Sequence, residues 1–165
     1  MKFSLIIPCY NEARNLPLLI DRCKSVNHNQ DIEVIFVDNG STDDTSAILK
    51  DSIDSHHNLH SVRVEINQGY GFGILAGLDV ASGDVLGWTH ADMQADPLDV
   101  IDGLTFFAKN PNAFVKGKRF GRPLIDVIFT IGMSIFESIL LNRPMWDINA
   151  QPCMFSRTFY ETWET

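Results

Sequence analysis

The sequence predicts an α/β fold: a doubly wound, mostly parallel sheet with helices on both faces. Three observations predict it. Short runs dense in β-branched and apolar residues alternate with segments of helical period through the first 116 residues. The first two runs are the most densely apolar and β-branched, as strands buried on both sides are. The unusual polar residues cluster just after the runs, at 8–12, 38–42, 67–71 and 90–94, where ligands sit in such sheets.

The elements follow in order. Residues 2–8 (KFSLIIP) and 33–38 (EVIFVD) read as buried parallel strands. Between them, 12–26 places Leu16, Leu19, Ile20 and Cys23 at helical spacing. Ser41, Thr42, Asp43 and Asp44 offer capping oxygens and first-turn carboxylates to a helix running to about Lys50. Residues 62–66 (VRVEI) alternate apolar and charged side chains as a third strand. A glycine-rich segment opens a helix over 69–81, Ser82-Gly83 stops it, and 84–89 (DVLGWT) is a fourth strand. Asp96-Pro97 starts another helix, and 113–116 is a fifth strand. On a helical wheel of 124–141, Asp126, Thr130, Ser134, Glu137 and Ser138 form a narrow polar stripe in an otherwise apolar helix. Such a helix is expected to bury most of its circumference, in protein or in a membrane interface.

Composition narrows the function classes. The chain has 165 residues, 45% of them hydrophobic and 21% charged, which suits one domain with a real core and excludes a disordered chain. A net charge of −8 argues against general nucleic-acid binding. The charge is uneven: residues 1–115 sum to −9, whereas 116–143 carry Lys116, Lys118, Arg119, Arg122 and Arg143 against two acids, or +3. That basic island suggests a phosphate or lipid headgroup as partner. Cys9, Cys23 and Cys153 have no metal-ligand spacing and read as reduced, mostly buried residues of a cytosolic protein. The N-terminus lacks the pattern of a signal peptide, and the apolar stretch at 124–141 is broken by two charges, too soon for a span of about 20 residues. The chain stops at 160–165 without a closing element, which reads as part of a longer polypeptide.

The candidate chemistry lies at the strand ends. Gly69-Tyr70-Gly71-Phe72-Gly73 is not the dinucleotide fingerprint and does not follow the first strand. No phosphate-loop, nucleophile-elbow or zinc pattern is present. Asp38 either accepts hydrogen bonds from a base or ribose, or caps the turn into the next helix. If the fourth strand continues through 90–94, alternation turns His90, Asp92 and Gln94 to one side. An imidazole, a carboxylate and an amide oxygen then suit Mn²⁺ or Mg²⁺ shared with diphosphate oxygens; the plain alternative is a polar strand end satisfied by hydrogen bonds. Lys116-Gly117-Lys118-Arg119 is either an anion site or a solvated turn, and Asp147 either a base or a helix cap.

In this order and spacing, SLIIPCYNEARNLPLLI, VIFVDNGSTDDT, NQGYGFGILAGLDVASGDVLGWTHADMQADP, VKGKRFGRP and DINAQPCMFSR resemble a family-2 glycosyltransferase of the GT-A fold. The nearest resemblance is to the polyprenyl-phosphate sugar synthases, and it covers nearly the whole chain. It implies a single catalytic domain over 1–165, with 1–115 as the nucleotide-sugar half and 116–165 facing acceptor and membrane. Pro8, Tyr10, Asn11 and Glu12 match P-x-Y-N-E and would line the nucleotide pocket. Asp38 matches the first acid of V-D-D-G-S and would hold base or ribose, with Asn39 in place of the second. Asn67 and Gly69 match N-x-G, and His90, Ala91, Asp92 and Gln94 match the D-A-D-x-Q metal motif. Gly117, Lys118 and Arg119 match G-S-R, with Lys118 departing; Arg119 would hold diphosphate.

The reaction so implied is inverting transfer of a sugar from a UDP- or GDP-sugar to a polyprenyl phosphate. The enzyme would lie peripherally at the cytoplasmic face of a membrane. Asp92 and Arg119 are the residues expected to act on the diphosphate, and Asp147 ranks low as a base because a phosphate oxygen is already anionic. Replacing a carboxylate by His90 removes one negative charge from the metal site and favours Mn²⁺ over Mg²⁺. A soluble glycan acceptor, or a non-catalytic nucleotide-sugar-binding module, is the alternative.

Overall fold

The computed structural model describes residues 1–26, 31–53, 56–144, 146–147 and 150–162. Twelve elements follow one another: β1 (Phe3–Cys9), α1 (Leu16–Val26), β2 (Ile32–Asn39), α2 (Thr45–Ile53), β3 (Leu59–Val64), α3 (Tyr70–Val80), β4 (Val85–Trp88), α4 (Asp99–Lys109), β5 (Val115–Lys116), α5 (Leu124–Leu140), β6 (Cys153–Ser156) and α6 (Arg157–Glu161). They form one six-stranded sheet in the order β3-β2-β1-β4-β6-β5. The first four strands pair in parallel, β1 at the centre with Phe3 opposite Ile32 and Val85.

Strand alternation sorts the core into two layers. Phe3, Leu5 and Ile7 of β1 join Val34 and Phe36 of β2 beneath α1, α2 and α4, which contribute Leu16, Leu19, Leu49, Val100 and Phe107. Ile6, Ile35 and Val37 point the other way, with Leu78 of α3, Phe155 of β6 and Tyr160 of α6. Every residue of β1 and β2 is buried, as their dense apolar runs lead one to expect, with Ser4, Glu33, Asp38 and Asn39 as the buried polar exceptions. The three cysteines are free and buried, and burial raises Cys23 to about 12 and Cys153 to about 11.

Glycines at 69, 73 and 77 run along one side of α3. A Cβ on Gly77 would overlap Ile6 Cγ2, and one on Gly73 would lie 3.2 Å from Pro8 Cβ and Asn39 Nδ2. The missing side chains let α3 lie close on β1 and β2, which brings its N-terminus over the ends of both strands.

The structure departs from the sequence expectation at β3, which runs over Leu59–Val64 rather than 62–66, and more widely at the C-terminal side. The fifth strand shrinks to Val115–Lys116 and is parted from β4 by β6, which enters between them and pairs antiparallel with both. Helix α5 buries only Ser134. Its polar stripe turns inward, Thr130, Ser134 and Glu137 lining a cavity with Arg119, Arg122 and Asp147. The apolar residues therefore face outward, with Ile128, Phe136 and Ile139 exposed by 60%, 60% and 76%. Among the described residues no helix is long and apolar enough to cross a membrane.

Candidate functional site

The carboxyl ends of β1, β2 and β4 open onto a cavity of about 270 Å³. Pro8, Tyr10 and Glu12 come from the loop after β1, Asn39 from β2, and Asn67, Gly69 and Tyr70 from the approach to α3. His90, Ala91 and Asp92 follow β4. Seven of the nine residues expected to bind the nucleotide sugar line this cavity; Asn11 and Asp38 do not.

Asn11 works between loops instead. Its Oδ1 accepts from Thr42 N at 2.8 Å, its N–H donates to Ser41 Oγ at 3.0 Å, and its φ of 56° lies in the left-handed region that Asn tolerates. Asp38 is 3% exposed and points to the opposite side of β2 from Asn39, as alternation requires. It accepts from Ser41 N at 2.9 Å and Arg63 Nη1 at 2.5 Å, and from the Ser46 hydroxyl. Burial alone would raise this carboxyl, but the hydrogen bonds from Ser46 and Ser41 and the charge of Arg63 hold it below its ordinary value. The turn-capping reading of Asp38 is the one its contacts fit.

Asn39 takes its place on the cavity wall. Its Nδ2 donates to Gly69 O at 2.9 Å and lies 3.5 Å from Asn67 Oδ1, which itself accepts from Gly69 N at 2.8 Å. That arrangement fixes the amide, and leaves the buried Asn39 Oδ1 with no hydrogen-bond partner among the described residues. A buried acceptor left open costs about 1–3 kcal/mol, so a donor from a ligand or a water in the cavity is needed to match it. Gly40, at φ 72°, makes the turn after it, where a Cβ would stand 2.6 Å from Asn67 N.

Strand β4 ends at Trp88, and the expected continuation through 90–94 gives way to bends, with Met93 at φ 61°. His90, Asp92 and Gln94 consequently do not share one wall. His90 and Asp92 line the first cavity, while Gln94 joins His90 in a second of about 400 Å³ with Lys118, Arg119 and Arg122. His90 stands between the two, its ring stacked on Tyr70 at 4.9 Å. Tyr70 Oη accepts from Gln151 Nε2 at 2.7 Å, and partial burial raises the phenol to about 12. Asp92 Oδ1 accepts from Gln94 N at 3.0 Å. Among the described residues no group of three or more His, Cys, Asp or Glu is placed to hold a metal ion. One carboxylate and one imidazole on a cavity wall fit a divalent ion that takes its remaining oxygens from a diphosphate, and do not fit one held by the protein alone.

Arg119 is paired with Asp147, its Nε 3.2 Å from Oδ2 and its Nη2 bonded to Oδ1. That hydrogen bond, with partial burial opposing it, holds the Asp147 carboxyl below its usual range. Asp147 N donates to Ser134 Oγ at 3.0 Å, tying the pair to the polar stripe of α5. Gly117 packs where a Cβ would overlap the Gln151 carbonyl, and its N–H donates to Pro152 O at 2.8 Å, which sets the turn into Lys118 and Arg119. Sequence reasoning did not single out Tyr70 or Gln151. Tyr70 sits between the glycines of a segment already marked as unusual; Gln151 has no local signal.

A mostly parallel sheet with helices on both faces, a polar cluster at its parallel strand ends and a basic cavity beside it is the architecture in which α/β proteins hold their ligands. The chain belongs to glycosyl transferase family 2, whose model matches residues 4–157. It is 36% identical over 105 residues to the undecaprenyl-phosphate 4-deoxy-4-formamido-L-arabinose transferase of Photorhabdus laumondii, a match spanning 60% of this chain and 31% of that protein. The match thus takes in about a third of the length of this curated relative. The mannosyltransferase PcManGT from Pyrobaculum calidifontis, solved with GDP-Man and Mn²⁺, superposes with a TM-score of 0.73 at 22% identity, over 98% of this chain and 46% of that one. S. aureus TarS superposes with a TM-score of 0.61 at 26% identity, over 75% of this chain and 38% of its own. The shared architecture is the GT-A fold.

Proposed function

We propose that this chain is the catalytic core of an inverting glycosyltransferase that moves a sugar from a nucleotide diphosphate sugar to a polyprenyl phosphate. The observation that carries the reading is the pair of adjoining cavities that share His90: one lined by amides and Asp92, the other by Lys118, Arg119 and Arg122. Donor and anionic acceptor then meet at their common wall. Similarity to the undecaprenyl-phosphate sugar transferase of Photorhabdus laumondii supports the same acceptor class.

In this reading Tyr10, Glu12, Asn39, Asn67 and Gly69 hold the nucleoside, and Asp92 and His90 face the diphosphate. A divalent ion bound there would offset the charge that develops on the leaving diphosphate. The complex of PcManGT with Mn²⁺ supports a divalent ion, and the His90 imidazole favours Mn²⁺ over Mg²⁺. Arg119 keeps Nε and Nη2 on Asp147, which positions it, and offers Nη1 to the phosphates. An already anionic acceptor oxygen needs no strong base, which suits a carboxylate whose basicity Arg119 has lowered. The outward apolar face of α5, flanked by the basic island, lies against the cytoplasmic surface of a membrane. On this reading 1–115 forms the donor half of one domain and 116–165 its acceptor half.

Calorimetric titration with UDP and GDP, each with and without Mn²⁺, tests the donor site. Mn²⁺-dependent binding of one nucleotide is the expected result, and no binding of either by the folded chain would overturn the reading. One observation favours a second reading, a non-catalytic nucleotide-sugar module: the ring of His90 stacks on Tyr70 where the family motif has a carboxylate. Under that reading nucleotide binds without turnover, and His90→Asp raises turnover sharply.

A further inference from the structure

The basic cavity adjoins a groove that the donor and phosphate chemistry leaves unused. This groove, about 650 Å³ in volume, runs between α4 and the edge strand β5. It shares Asp99, Lys118, Phe120 and Gln151 with the basic cavity. Apart from Asp102 and Lys116 its own walls are apolar: Phe106 and Phe114 are 52% and 47% exposed beside it, and Met154 and Pro152 form part of its lining. Gly103 keeps the groove narrow at its base, because α4 lies so close on β6 that a Cβ there would overlap Met154 Sδ. Phe120, 78% exposed, stands at the junction with Lys118 Nζ 5.2 Å from its ring centroid.

The two cavities together have the shape and polarity of an amphiphile. Lys118, Arg119 and Arg122 gather at one end, and exposed aromatic side chains follow at the other. Lys118, Arg119 and Arg122 outnumber Asp99 and Asp126 around the basic cavity, whereas in the groove Lys116 and Lys118 are offset by Asp99 and Asp102, so a phosphate is drawn to the basic end. We infer that the α4–β5 groove takes the apolar chain of the acceptor, holding the isoprene units next to the phosphate. The inference rests on the polyprenyl-phosphate reading and deepens it: the acceptor is recognised by its chain as well as its phosphate, on a surface separate from the outward face of α5.

Membrane-free titration tests it, using this chain with methyl, isopentenyl, geranyl and farnesyl phosphate below their aggregation concentrations. Each methylene-sized group buried strengthens binding by about fourfold. Affinity is therefore expected to rise at least ~10-fold from isopentenyl to geranyl phosphate. Phe106→Asp removes that rise and leaves UDP and methyl phosphate binding unchanged, which also reports that the variant is folded. The double variant Ile128→Ser/Phe136→Ser on α5 keeps the rise. If the rise survives Phe106→Asp and disappears in the α5 variant, the chain runs along α5; the groove assignment falls and the polyprenyl reading stands. If nucleotide binds but no isoprenyl phosphate binds better than methyl phosphate, both the groove assignment and the polyprenyl reading fall.

Discussion

Asp38 and Asn39 share a strand end, and the two-residue alternation of β2 sends one toward Arg63 and Ser46 and the other into the donor cavity. Asp38→Asn is therefore expected to lower stability by about 1–3 kcal/mol, since Arg63 is partly exposed and loses a screened partner. Nucleotide affinity should stay unchanged; denaturant unfolding and calorimetry together check both halves. Asp92→Asn has the opposite profile. Stability holds, and the Mn²⁺-dependent gain in nucleotide affinity drops at least ~10-fold, measured as the ratio of Kd with and without the ion. Glu33 is a structural counterpart at the far end of the sheet. Burial would raise its carboxyl, but hydrogen bonds from Ser4, Ser82 and Lys2 prevail and bring it from 4.5 to about 2. The folded-state value is depressed, so its contribution is fully present above about 4.5 and is lost as pH falls through 2. That contribution is at most about 3 kcal/mol, and Glu33→Gln should flatten the acid limb of the stability curve between those limits.

At the scale of elements, α3 and α5 behave in contrasting ways. Helix α3 is positioned by what it lacks: glycines 73 and 77 let it sit against β1 and β2, and that contact carries Asn67 and Tyr70 over the site. Gly77→Ala must displace Ile6 or lift the helix, at a cost of about 1–3 kcal/mol. A thermal melt reads the loss, and because the lifted helix takes Gly69 from Asn39, nucleotide affinity falls with it. Helix α5 is positioned by its polar stripe, anchored through the Ser134 hydroxyl to Asp147. Its sequence already showed a narrow polar face. Which side of the molecule that face met was decided by the Arg119–Asp147 pair, a contact across 28 residues of sequence.

Across the whole molecule, charge and apolar surface are segregated. The acidic first two-thirds hold the parallel sheet, and the basic island meets the outward apolar face of α5 on one side and the α4–β5 groove on the other. Vesicles containing anionic lipid should therefore retain the chain in flotation, and raised salt should weaken that binding because the basic island supplies part of it. Ile128→Ser/Phe136→Ser should release most of the protein without changing its unfolding midpoint, as both side chains are already exposed.

The sequence by itself determined the parallel half of the sheet, its helices and the positions of the polar clusters. Those depend on short-range periodicity and on capping and turn residues that act within a few positions. The tertiary structure decided what those local signals do not contain. It placed β6 between β4 and β5, chose Asn39 over Asp38 for the cavity, and set Gln94 and Asp92 on different walls once β4 ended at Trp88. It also turned the polar stripe of α5 inward. Each of these outcomes depends on a partner distant in sequence: Met154 beside Gly87, Arg63 beside Asp38, Gln151 beside Tyr70, and Asp147 beside Arg119. A strand end fixes where a side chain can reach, and only the packed neighbours fix what it finds there.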